Sequence, residues 1–269
     1  MKKGFLTNKY TLSVFILLAI LATDILLHKG MSRVILPESF TKKRQPQTGI
    51  QRCNPALQVK GKKWIKAVNT IAMAERTDST ANGFEMDVYF DTARNNFFVY
   101  HDSSVISAVT AGDIFSVMDK RNLQAAAWLD CKNLDEQNKA RALEQLLFLK
   151  NKHALANRIL VESSNAAALK IFCDSGFFTS YYVPFFNPYT ETEPMLIGRI
   201  DSIAAVLKKY PVSALSGYYF QVPFLKKYFP VFPLLTWTED SRISLVNNYF
   251  NYQLEKDDQV KIVLHDVEN

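Results

Sequence analysis

From residue 64 onward, short apolar runs alternate with longer segments of helical period, and this alternation limits the possible folds more than any other feature. It predicts strands over 64–68, 83–88, 125–130, 158–162, 178–183, 214–218, 231–237 and 260–264, with an extra hairpin strand over 97–100. Helices are predicted over 111–121, 135–150, 166–175, 194–210, 222–228 and 241–253. The clearest is 135–150, where Ala142, Leu143, Leu146, Leu147 and Leu149 gather on one side and Lys139, Arg141 and Glu144 surround the other. Strands alternating with helices argue for a parallel α/β sheet, and eight such units close a (β/α)8 TIM-type barrel. A doubly wound open sheet is the competing arrangement, but no glycine-rich phosphate loop follows the first strand. With 48% hydrophobic residues in 269, the chain can bury one sizeable core.

The positive net charge is local. Residues 1–63 hold 12 Lys and Arg against 2 Asp and Glu, of 32 and 26 in the whole chain, which leaves 64–269 mildly acidic. A nucleic-acid-binding domain should carry its positive charge on the folded part, so no nucleic-acid partner is expected. Residues 10–27, YTLSVFILLAILATDILL, follow Lys2, Lys3 and Lys9 and read as an uncleaved N-terminal membrane anchor over 1–28. A cleaved signal sequence fits less well, because Ile20 or Leu21 would stand at the −3 position of a cleavage site around Ala22. The expected localisation is a single-pass membrane protein with an extracytoplasmic domain, or a secreted one if the segment is removed. Residues 29–62, with Pro37, Pro46, Pro55 and a KKR cluster, read as a basic linker, and 63–269 as the barrel domain. Cys53, Cys131 and Cys173 show no CxxC spacing, and Cys131 and Cys173 are expected to be buried free thiols.

The stretch 83–102, GFEMDVYFDTARNNFFVYHD, carries the chemistry. Glu85 and Asp87, two apart on a strand, point the same way, and His101-Asp102 end the strand that follows. In a barrel the C-terminal strand ends converge on one mouth. Asp130 and Lys132 in WLDCKN, Glu162, Trp237 and the pair His265-Asp266 fall at such ends. Glu85, Asp87 and Asp130 together favour a hard divalent cation, Mg2+ or Ca2+, over zinc. Lys132 is placed to neutralise a phosphate oxygen, and His101 to act as general acid or base. Glu162, Tyr181, Trp237 and His265 complete the expected substrate surface, with Tyr181 and Phe185 offering an apolar lip.

The same stretch resembles the signature of glycerophosphodiester phosphodiesterases, in which a strand reading E-x-D-V precedes a hairpin ending in H-D. WLDCKN is similar to the family's E-x-K strand, and LLTWTED to its W-T segment near strand seven. The similarity spans roughly 64–269 in matching order. It implies a TIM barrel with Glu85, Asp87 and Asp130 as metal ligands, His101 as one of two catalytic histidines and Lys132 as a phosphate contact. Two departures stand out. The family's H-R-G at the end of strand one is replaced by WIKAVNT, which puts Lys66 where the other histidine belongs, and aspartate replaces glutamate at position 130. Lysine holds its proton far more tightly than histidine and shuttles it less readily, so Lys66 is expected to join Lys132 in stabilising the phosphoryl charge.

These features set an expectation: a membrane-anchored, metal-dependent phosphodiesterase-like protein acting on or binding a small phosphodiester or lipid headgroup. A catalytically impaired barrel serving as an envelope binding or scaffold protein is the alternative, motivated by Lys66. A carbohydrate-active barrel using Glu85 and Glu162 as paired carboxylates would need no metal.

Overall fold

The computed structural model describes residues 9–27, 40–58, 60–102, 107–238 and 245–266. After the N-terminal helix α1 (Lys9–Leu27), the chain alternates strands and helices: β1 (Lys63–Ile65), α2 (Ile71–Arg76), β2 (Gly83–Asp91), β3 (Asn96–Val99), α3 (Ala111–Lys120) and β4 (Ala126–Cys131). It continues through α4 (Lys139–Lys152), β5 (Ile159–Ser163), α5 (Ala166–Asp174), β6 (Phe178–Tyr182), α6 (Glu193–Lys209) and β7 (Ala214–Tyr218). The last elements are α7 (Val222–Tyr228), β8 (Leu234–Trp237), α8 (Leu245–Lys256) and β9 (Val260–His265). The expected strands all form, β3 pairs antiparallel with β2 as a hairpin, and α2 is a helix that periodicity did not reveal.

Eight parallel strands run in the order β1-β2-β4-β5-β6-β7-β8-β9, and pairing of β9 with β1 and of β1 with β2 closes the sheet into a TIM-type barrel. Strand alternation divides the side chains into two sets. Trp64, Trp128, Leu160, Phe178, Leu235 and Leu264 fill the inside of the barrel. Residues of the opposite parity, such as Met86, Leu129, Val161, Leu215 and Val263, pack outward into the larger core under the helices. Gly83 is required by this inner layer, because a β-carbon there would lie 2.3 Å from the ring of the buried Trp64. Local signals set the helix starts. Thr110 and Asp113 form a reciprocal capping box on α3, and Asn165 caps α5 through Ala168 N–H.

Of the linker expected over 29–62, residues 29–39 and 59 lie outside the described residues. Residues 40–58 are tied to the barrel domain, first along α6 and α7 and then, through Cys53 N–H on Val212 C=O and Gln58 N–H on Asn157 C=O, beside the starts of β7 and β5. Thr41 N–H donates to Tyr228 Oη at 2.9 Å and Tyr228 O–H donates back to Thr41 C=O at 2.7 Å. Arg44 grips Asp201 with two hydrogen bonds of 2.8 and 2.6 Å. A disulfide joins Cys53 to Cys173 across 120 residues of chain. The free thiol expected at Cys173 is thereby corrected: two cysteines far apart in sequence meet only because α5 ends beside this segment. Cys131 is free and buried, as expected.

The membrane anchor is also corrected. Among the described residues, no helix is long and apolar enough to cross a membrane. In α1 the run without a polar side chain is 14–22, between Ser13 and Thr23. The whole helix is 19 residues long and includes Lys9, Ser13, Thr23 and Asp24, where a span requires about 20 predominantly apolar residues. The single-pass anchor and the localisation built on it do not stand.

Candidate functional site

Asp87 on β2, Asp130 on β4 and Glu162 on β5 are successive Cα partners across the sheet, so three carboxylates stand in one row at the C-terminal end of the barrel. Glu85 lies one inward position deeper on β2. Glu85, Asp87 and Glu162 are all buried, with 5%, 4% and 1% of their surface exposed. One oxygen each from Glu85, Asp87 and Asp130 can be chosen so that all lie within 4.8 Å of one another, and this group can hold a metal ion. An all-oxygen set of carboxylates fits a hard divalent cation.

Each carboxylate is held by a specific neighbour. Glu85 Oε2 accepts the N–H of Ala67 at 2.7 Å, where the chain leaves β1 with a left-handed φ of 56°. Asp87 Oδ2 accepts Nδ2 of Asn69 at 2.7 Å and faces Nδ1 of His101 at 3.1 Å, while Oδ1 meets Nζ of Lys132 at 2.6 Å. Lys132 Nζ also contacts Asp130 Oδ2, so its ammonium bridges the two aspartates. Its orientation follows from strand alternation: Cys131 packs outward into the helical core, and Asp130 and Lys132 face in.

Burial dominates the electrostatics. It pushes the Glu85 carboxyl up to about 8, with the charges of Asp87 and Asp130 adding to the effect. Burial also raises Glu162 well above the usual carboxylate range, and Asp130 adds to it. Asp130 is raised by burial that Lys132 only partly offsets. At Asp87 burial acts in the same direction, but the charge and hydrogen bond of Lys132, with the Asn69 amide, hold its carboxyl below the ordinary value. For Lys132, burial favours the neutral amine, and the two aspartates outweigh it and keep the side chain firmly protonated.

The other expected site residues divide. His101 is at the mouth and 77% exposed, and Trp237 packs against Tyr182 and Tyr218 with ring centroids at 5.3 and 5.0 Å. Phe185 extends this aromatic side of the mouth against Tyr218 at 5.0 Å. Glu162 is in the carboxylate row, and its buried Oε2 has no hydrogen-bond partner among the described residues. Tyr181 and His265 are not at the mouth. Tyr181 packs outward into the helical core, and the inward aromatic is Tyr182. His265 shares the outward parity of Val263 and turns to Glu255 of α8 at 3.7 Å, leaving Asp266 to face Lys66. A shift of one residue along a strand reverses the face, which is the physical reason for both misplacements. Lys66 makes its only ion pair among the described residues with Asp266, at 3.7 Å, rather than with the acidic group.

Sequence reasoning passed over Asn69, although it contacts Asp87 through both ends of its amide: Asp87 N–H donates to Asn69 Oδ1 at 2.9 Å. Its place just beyond β1, where a barrel presents site residues, was the available signal. Tyr182 and Tyr218 were reachable by counting parity from Glu162, whose partner on β6 is Ser180.

No family model matches the chain, and no curated protein matches it. Solved structures do. A protein described as a glycerophosphoryl diester phosphodiesterase, from Silicibacter pomeroyi, superposes with a TM-score of 0.51 at 14% identity, covering 79% of this chain and 91% of its own. A glycerophosphodiester phosphodiesterase from Parabacteroides distasonis gives 0.50 at 19% identity, covering 76% and 92%. A Galdieria sulphuraria protein described by the same activity gives 0.51 at 12%, covering 77% and 94%. This chain shares the barrel fold of these phosphodiesterases. At such identities the likeness is one of fold.

Proposed function

We propose that this protein is a metal-dependent phosphodiesterase-like barrel that binds, and cleaves, a small phosphodiester such as a glycerophosphodiester or a lipid headgroup. The observation that carries this reading is the mutual placement of Glu85, Asp87 and Asp130 with His101 and Lys132 at the C-terminal end of the barrel. Glu85, Asp87 and Asp130 would hold the divalent cation. When bound, such an ion polarises a phosphoryl oxygen as a Lewis acid.

The remaining work belongs to side chains. His101 presents Nδ1 to Asp87, which orients the ring, favours the Nδ1–H tautomer and leaves Nε2 free to move a proton at the mouth. Lys132 supplies a fixed positive charge for a phosphate oxygen. Tyr182, Tyr218 and Trp237 form an apolar wall beside the charged row, suited to the alcohol portion of a diester. A second reading, binding without turnover, is favoured by Lys66, which meets Asp266 and supplies no second histidine.

The test is hydrolysis of glycerophosphodiesters by the purified full chain with Mg2+ or Ca2+. Turnover that is lost on chelation and falls on the order of 100- to 10,000-fold in His101→Ala supports hydrolysis. Binding of a phosphodiester without turnover supports the second reading. Activity untouched by both His101→Ala and Glu85→Ala overturns the assignment.

A further inference from the structure

Asp87 has two oxygens, and they are not equivalent. Oδ2 is occupied by Asn69 Nδ2 at 2.7 Å and His101 Nδ1 at 3.1 Å, and Asn69 is pinned a second time by the Asp87 backbone N–H. Oδ1 meets the Lys132 ammonium at 2.6 Å, and the same ammonium contacts Asp130 Oδ2. The oxygen of Asp87 left for an ion is therefore the one that Lys132 holds.

We propose that Lys132 is a tethered cation that competes with the divalent ion for Asp87 and Asp130, so that ion binding and the seated position of its ammonium exclude one another. This rests on the reading of Glu85, Asp87 and Asp130 as ion ligands. An ion on these oxygens and an ammonium within hydrogen-bond reach of them would be like charges a few ångströms apart in a buried, weakly screened place.

The side chain is built to move. The backbone of Lys132 is anchored just past β4 by its N–H on Val88 C=O at 2.9 Å, whereas its side chain is 25% exposed at the mouth. A flexible four-carbon stem can swing the ammonium off the aspartates without disturbing the strand. Two consequences follow. Without a divalent ion, Lys132 neutralises the cluster and keeps the buried Asp87 and the half-buried Asp130 compensated. With an ion bound, the displaced ammonium is free at the mouth, where an anionic phosphoryl group is the partner that would hold it. Anion and divalent ion then bind with positive coupling.

The experiment is calorimetric titration of the full chain with CaCl2 and with MnCl2, without substrate, for wild type, Lys132→Met and Lys132→Gln. Removing the competing charge should tighten ion binding on the order of 10- to 100-fold, the usual range of such couplings. Thermal melts give a second measure: Ca2+ should raise the Tm of the variants more than that of wild type. If Lys132→Met folds only when Ca2+ is present, that supports the competition, and Lys132→Gln, which keeps a hydrogen-bonding amide, serves for titration. Unchanged or weaker ion affinity in the folded variants overturns it. If neither wild type nor variant binds Ca2+ or Mn2+, the inference and the ion reading fall together. If wild-type turnover depends on the ion while the variants show no gain in affinity, the inference alone falls.

Discussion

Glu85→Gln is a direct test of how the buried acids are held. Burial raises the Glu85 carboxyl from its ordinary 4.5 to about 8. Between these values the folded chain keeps a proton that the unfolded chain releases, so stability falls as pH rises through that interval. The slope is about 1.4 kcal/mol per pH unit for one proton, and the full interval amounts to about 4–5 kcal/mol. Glutamine mimics the protonated acid and can still accept the Ala67 N–H that Glu85 Oε2 receives at 2.7 Å. Urea unfolding in a chelator, from about pH 5.5 to 8.5, should therefore show a shallower loss of stability in Glu85→Gln than in wild type, by up to one proton. Glu162 and Asp130, also raised by burial, leave a residual slope in both proteins. Parallel profiles would refute the reasoning, because they would mean that Glu85 titrates alike in the folded and unfolded chains.

Two further outcomes concern the scaffold. Gly83→Ala should cost about 1–3 kcal/mol by overpacking, since the new methyl would meet the buried Trp64 ring at 2.3 Å; chemical denaturation measures it, and an unchanged midpoint would show that the inner layer yields. Cys173→Ser should cost about 2–5 kcal/mol by releasing the 120-residue loop closed by the disulfide with Cys53, and a melt that matches wild type under non-reducing conditions would contradict that pairing.

The barrel was legible because its signal is local. Eight short apolar runs separated by helical periods leave few arrangements open, and strand alternation alone put Glu85 and Asp87 on one face with Met86 on the other. The row Asp87, Asp130 and Glu162 followed from their common place at strand ends. Tyr181 and His265 were misplaced for a related reason: each lies at a strand end, where a one-residue difference in boundary decides between barrel mouth and helical core.

The order of residues along the chain was enough for the alternation of elements, the inward parity of the acids and the motif that joins Glu85, Asp87 and His101. Tertiary structure alone decided the pairing of Cys53 with Cys173, the packing of residues 40–58 on the barrel, the hold of Asn69 on Asp87 and the bridge of Lys132 between two aspartates. The physical reason is range. Periodicity and alternation act over a few residues and are written in order along the chain. Hydrogen bonds, ion pairs and disulfides depend on distances that exist only after the barrel has closed.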